Sequence, residues 1–155
     1  MAEVNFHDVL SKQLNVVRKK LNMETAIVSY INDNTYTLIA VDSHLEGVFK
    51  AGMAFPLEDT YCRDVYQFNQ VMRYYNVGSM DSMLQHPAYL SVQLESYLAA
   101  PINDDKGQVV GTVNFTSLMA KRQQFEDKEV ELATDLAAFI GKNIEQYKLL
   151  IPSES

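Results

Sequence analysis

The chain has 155 residues, a single cysteine and a formal net charge of −7. That length suits one domain able to bury a core without staples, and one Cys excludes an intramolecular disulfide framework, a Cys-rich zinc site and an intramolecular dithiol cycle. The acidic balance disfavours nucleic acid, an apolar content of 47% excludes disorder, and no signal peptide or bilayer-length apolar run is visible, so a cytoplasmic protein with no membrane partner is expected.

The first element is a helix. From residue 4 to 21 there is no Gly or Pro, and Phe6, Leu10, Leu14, Val17 and Leu21 step by four, four, three and four, one stripe of an amphipathic helix. Residues 25–31 and 35–41 are rich in β-branched and aromatic side chains around Asn32-Asp33-Asn34, which predicts a hairpin. The middle is punctuated by Gly47, Gly52 and Pro56. Asp59 is the expected N-cap of a short helix running through about Phe68. Residues 71–75 read as a short strand, and His86-Pro87 limits residues 78–91 to a loop with short helical turns. Two more strands, 94–102 and 108–117, flank the turn at 103–107. In the second of them Val109, Gly111, Val113 and Phe115 share the apolar parity, while Thr112, Asn114 and Thr116 share a polar one. The chain closes with a helix expected over 124–151, with its stripe at Ala133, Leu136, Ala137, Ile140, Ile144, Tyr147 and Ile151. At 1.5 Å per residue a continuous helix there is ~40 Å long. It would cross the whole domain and leave its last turns as exposed apolar surface.

This order predicts an α+β fold: a central antiparallel sheet with both terminal helices packed on one face. The charges of those helices oppose each other. Residues 1–22 carry net +2 and residues 123–151 net −3, which suits side-by-side packing within a chain or across a homodimer.

The strings FPLEDTYCRDVY, HPAYL, LESYLAAPI and GQVVGTVNFTS, with the closing F-x-x-K-E-V-E-L, resemble a GAF domain in content, order and spacing over about residues 14–144. The Gly-x-Val-x-Gly-Thr-Val-Asn-Phe strand is the most specific part. The resemblance implies a single sensory domain over 1–155. Its terminal helices, 1–21 and 124–151, would dimerise on one sheet face, and a small-molecule pocket would lie under loops on the other. It also implies an output domain or signalling partner.

Candidate chemistry divides into four groups. Cys62 would matter if it anchored a bilin, but bilin-binding relatives place their anchor Cys beside a His in a later helix, near His86 here. Cys62 sits in the earlier helix, where a small buried residue is the plainer reading. Reduction of free methionine sulfoxide, known for some GAF-like proteins, needs a resolving thiol that this chain lacks. His7, His44 and His86 have no metal-ligand spacing. The last group is aromatic and soft. Six of nine tyrosines fall between residues 61 and 97, joined by Met72, Met80 and Met83. They suit either a pocket for a planar molecule or plain packing of a loop-rich half-core. Asn114 and Thr116 face either a wet pocket or solvent. Asp59 and Thr60 read as a cap rather than as ligand contacts.

The expected site is therefore Tyr61, Cys62, Tyr74, Met80, Met83, His86, Tyr89, Asn114 and Thr116, with no catalytic residue and no metal. The expected function is a non-catalytic sensor that binds a small molecule and relays the signal through a dimer. The ligand is unspecified at this level. The alternatives are a methionine-sulfoxide-reductase-type enzyme, disfavoured by the cysteine count, and a pure dimerisation module with a filled pocket.

Overall fold

The structure is a computed structural model describing residues 5–43, 49–80, 83, 86 and 94–151. The first helix, α1, spans Phe6–Leu21. Asn5 caps it, its side-chain oxygen accepting from the His7 N–H at 2.9 Å. Asn22 ends it in the left-handed region, φ 55°, where Asn is tolerated. Leu10, Leu14, Val17 and Leu21 form the buried stripe. Beside them Arg18 is nearly buried and pairs its Nε with Asp42 Oδ2 at 2.6 Å, while its Nη1 donates to the Met23 carbonyl. The helix is thereby pinned to the sheet by both apolar contact and charge.

Strands β1 (Thr25–Asn32) and β2 (Thr35–Ser43) form the expected hairpin. Asp33 and Asn34 both have positive φ, 51° and 60°, the mirror-image turn whose twist suits adjoining strands. Strand β3 (Ala54–Pro56) pairs with β2 as an edge strand that the sequence pattern does not predict. A 3-10 turn at Leu57–Asp59 leads into α2 (Cys62–Phe68). Asp59 does not cap this helix as expected, because the intervening turn moves the helix start to Cys62 and leaves Tyr61 at the capping position. Strand β4 (Met72–Tyr74), a 3-10 turn at Val77–Ser79, β5 (Ser96–Asn103) and β6 (Val109–Ser117) follow.

Among the described residues the strands form one antiparallel sheet in the order β3-β2-β1-β6-β5-β4. One face carries Ala26, Val28, Leu98, Ala100, Ile102, Val113 and Phe115 against α1 and the closing helix. The other carries Ile27, Tyr36, Leu38, Tyr97 and Ala99 toward α2 and the 3-10 turns. The sheet thus separates two cores, and the α+β class with terminal helices on one face is as the residue pattern predicts.

The closing helix departs from expectation. It is α3 (Asp127–Lys142) followed by α4 (Ile144–Leu149). Asn143 breaks it, with φ −115° and ψ 38°, and the Asn143 side chain donates to the Phe139 carbonyl at 2.8 Å, the local competition that makes Asn unfavourable inside helices. Beyond the break, α4 seats Tyr147 against the sheet. Tyr147, expected among exposed terminal turns, is fully buried, and its hydroxyl donates to the Ser29 carbonyl at 2.7 Å. Of the apolar residues in those turns only Leu149 is largely exposed, at 83%; Leu150 and Ile151 pack partly against the core. Among the described residues no helix is long and apolar enough to cross a membrane.

Candidate functional site

Alternation along β6 builds the floor of the site. Val113 and Phe115 point into the helix-side core, so Thr112, Asn114 and Thr116 point to the other face. That face is not solvent. All three side chains are buried, at 3% exposure or less, because α2 and the β2–β3 region close over them. Opposite parity on β1 and β2 adds Ser29, Ile27, Tyr36 and Leu38.

The buried polar groups join into one network. Asn114 Nδ2 donates to the Tyr36 hydroxyl at 2.7 Å, to Cys62 Sγ at 3.1 Å and to Thr112 Oγ1 at 3.2 Å. Cys62 Sγ also lies 2.9 Å from the Tyr97 hydroxyl and 3.2 Å from Thr112 Oγ1. Thr112 Oγ1 in turn pairs with Ser29 Oγ at 2.7 Å. Burial pushes the Cys62 thiol up, against the smaller opposing pull of its hydrogen bonds, and pushes Tyr36 and Tyr97 well above the usual phenol range, with the neighbouring Cys62 adding to it. Every member of the network is therefore neutral near pH 7. Thr116 Oγ1 stands apart: it is buried and has no hydrogen-bond partner among the described residues.

Above this floor lies a pocket of about 200 Å³. Its described walls are Ile27, Leu38, Phe49, Met53, Phe55 and Leu94, and its floor is Tyr36, Cys62, Tyr97, Asn114 and Thr116. Asp59, Thr60 and Tyr61 complete the lining. Asp59 and Thr60, read from sequence as a cap, thus border the pocket instead; Thr60 Oγ1 donates to the Leu57 carbonyl at 2.9 Å.

Of the expected site residues, the structure brings Tyr61, Cys62, Asn114 and Thr116 onto this lining. Tyr74, Met80, Met83 and His86 lie off the described lining. The sheet order explains Tyr74: β4 is the edge opposite β3, whereas the pocket opens toward β2 and β3. Tyr74 instead stacks on Tyr97 at 5.7 Å and meets Tyr61 edge-on at 5.9 Å. His86 sits behind Tyr61, ring centroids 5.0 Å apart, with its imidazole held below the usual range by burial first and Arg63 second. Met80 and Met83 pack in the pocket-side core. Tyr89 lies outside the described residues. The walls Ile27, Leu38, Phe49, Met53, Phe55 and Leu94 and the floor residues Tyr36 and Tyr97 are not among the expected site residues. Strand parity across the first hairpin could have found Tyr36 and Leu38, since they share a face opposite Val28.

These features define a class, an antiparallel sheet carrying helices on one side and a pocket on the other. The GAF domain family model matches residues 5–144, and the chain belongs to that family. Solved structures share the fold at low identity. The phycoerythrobilin-bound GAF domain from a cyanobacterial phytochrome has a TM-score of 0.74 at 16% identity, covering 94% of this chain and 88% of that one. The GAF domain from an Acinetobacter phosphoenolpyruvate-protein phosphotransferase has 0.73 at 16%, covering 96% and 87%. The GAF region of a putative membrane protein from Geobacter sulfurreducens has 0.68 at 16%, covering 92% and 93%. No curated protein matches the chain in sequence.

Proposed function

We propose that this GAF domain is a non-catalytic sensor that binds a small molecule in the pocket over β6 and relays occupancy through its terminal helices in a homodimer to an output domain or partner. The observation that carries the reading is the pocket itself: apolar walls above a buried polar floor, with one buried hydroxyl, Thr116, awaiting a partner. The protonated, enclosed Cys62 thiol supports a sensor over a thiol-dependent reductase, since the thiolate is the nucleophile. The pocket is smaller than the ~300–1,000 Å³ typical of drug-sized ligands, which argues against an open-chain tetrapyrrole of the kind the phytochrome neighbour holds.

A chain of hydrogen bonds supports a route for such a relay. Asn114 contacts Thr112, Thr112 contacts Ser29, and the Ser29 carbonyl receives the Tyr147 hydroxyl of α4. A ligand moves this chain only by its difference in affinity between two arrangements. Dimerisation rests on the opposite charges of the terminal helices and on Val16, 44% exposed on α1. Native mass spectrometry of freshly purified protein tests both parts. A dimer retaining a small molecule is expected, and Val16→Glu should shift the dimer toward monomer. Bare monomer at tens of micromolar, a rough working range, would remove the proposal.

A further inference from the structure

Resting on the ligand-binding reading above, we infer that the pocket is built for an uncharged single-ring molecule carrying one hydrogen-bonding substituent, the ring held between Leu38, Phe49 and Phe55 and the substituent bonded to Thr116 Oγ1.

Size comes first. Apolar cavities of about 150 Å³ accept benzene. A pocket of about 200 Å³ therefore takes one ring and a substituent of a few atoms. A nucleotide, which carries a sugar and a phosphate besides its base, matches that volume poorly.

Charge comes second. No Lys, Arg or His stands on the described lining, and its one ionisable group of fixed charge is the Asp59 carboxylate. The floor groups stay neutral because burial holds their protons on. A ligand carboxylate or phosphate placed there would be desolvated without a counter-charge, a cost far above that of a neutral polar group. The described lining supplies no cation to offset an anionic ligand.

Hydrogen bonding comes third and sets the polarity of the ring's substituent. Asn114 already spends its amide N–H groups on Tyr36, Cys62 and Thr112. Thr116 Oγ1 borders the pocket, is buried, and has no partner among the described residues. A buried polar atom left unsatisfied is unfavourable, and a ligand that satisfies it recovers that cost on binding. A hydroxyl can donate or accept, so a phenol, an amide or a ring carbonyl all fit it, while a purely apolar ring does not.

The experiment uses the full chain and three probes of similar size, phenol, toluene and benzoate, with amide chemical shifts followed by NMR titration. Phenol should bind with shifts at Ile27, Leu38 and Thr116, at least fivefold more tightly than toluene and at least tenfold more tightly than benzoate. Thr116→Val, which keeps the shape and removes the hydroxyl, should reduce the phenol-over-toluene preference to less than twofold; Thr116→Ser should keep it. Benzoate binding as well as phenol, or an unchanged preference in Thr116→Val, would overturn the inference while leaving a real pocket. If none of the three probes shifts the pocket amides, this inference falls, while the ligand-binding reading on which it rests is decided by the native mass spectrometry above.

Discussion

Asn114 donates two N–H groups toward three acceptors, the Tyr36 hydroxyl, Cys62 Sγ and Thr112 Oγ1. Removing its amide orphans several buried atoms at once. Asn114→Ala should therefore lower stability by ~2–4 kcal/mol, more than a single hydrogen bond's net worth, because unpaired buried partners carry the larger cost. Urea denaturation checks this; a loss well under 1 kcal/mol would mean the network is not cooperative. Cys62 offers a cleaner readout, being the sole cysteine. Its thiol is 2% exposed and held protonated by burial. A thiol reagent should label native protein only at the rate of opening, and labelling should accelerate with sub-denaturing urea. Prompt stoichiometric labelling would contradict the burial. Cys62→Ser keeps a group able to bond Tyr97 and Thr112, and should cost at most ~1–2 kcal/mol, the range of a small core change. The residue's identity was plain in the sequence, but its environment was not. Its partners lie 35 to 52 positions away, and no local pattern connects them.

At the scale of elements, legibility followed periodicity. The stripe of α1, the hairpin β1–β2 and the alternation of β6 were readable because each depends on spacing within a few residues. The short strand β3 was not: it follows Gly52 and ends on Pro56 with no run of strand-forming residues, whereas the equally short β4 sits within Val71-Met72-Arg73-Tyr74-Tyr75. The helix break was missed for a related reason: the apolar stripe continues through Ile144 and Tyr147, and only the bond from Asn143 to Phe139 reveals that the backbone does not. The pocket was half legible. The parity of β6 marked Asn114 and Thr116, but which edge of the sheet the pocket opens toward depends on strand order. Gly111 shows the same limit. It sits in the family-like strand, and the structure supplies the reason: a Cβ there would run into the Ser29 carbonyl and the Tyr147 hydroxyl. Gly111→Ala must displace either β1 or α4, so it should cost more than ~3 kcal/mol, as overpacking against backbone does. Tyr147→Phe removes only the hydroxyl and its bond to Ser29, and should cost ~1–2 kcal/mol. If Gly111→Ala proved no worse than Tyr147→Phe in thermal melts, the close approach would be softer than the geometry shows.

The whole molecule carries an alkaline limit. Tyr74 is pushed up to about 12 by burial, with Asp64 contributing. Tyr36, Tyr97, Tyr147 and Cys62 are also raised, each by burial first. In the unfolded chain these groups release protons near their ordinary values, about 10 for Tyr and 8.5 for Cys. Between those values and the raised native ones, the unfolded state binds fewer protons, so stability falls as pH rises. The urea midpoint should hold near pH ~8 and fall steeply above about pH 10. Tyrosinate absorbance should appear in two stages, exposed phenols first and the buried ones only with unfolding. A single smooth titration near 10 would contradict this. His86 acts in the opposite window. Its lowered native value means the unfolded state binds more protons below about 6.5, so its contribution is present above that pH and lost as pH falls.

Considered as a mechanical coupling, Tyr147 sets the stiffness of the last described turns. α4 has six residues, below the ~12–15 at which an isolated helix holds its shape in water. Its rigidity is borrowed from the seat beneath the Ser29 carbonyl and beside Gly111. With Tyr147 seated, a twist of β1 is expected to carry residues 144–149 with it; with that seat lost, as in Tyr147→Ala, the link between β1 and α4 through the Ser29 carbonyl is gone.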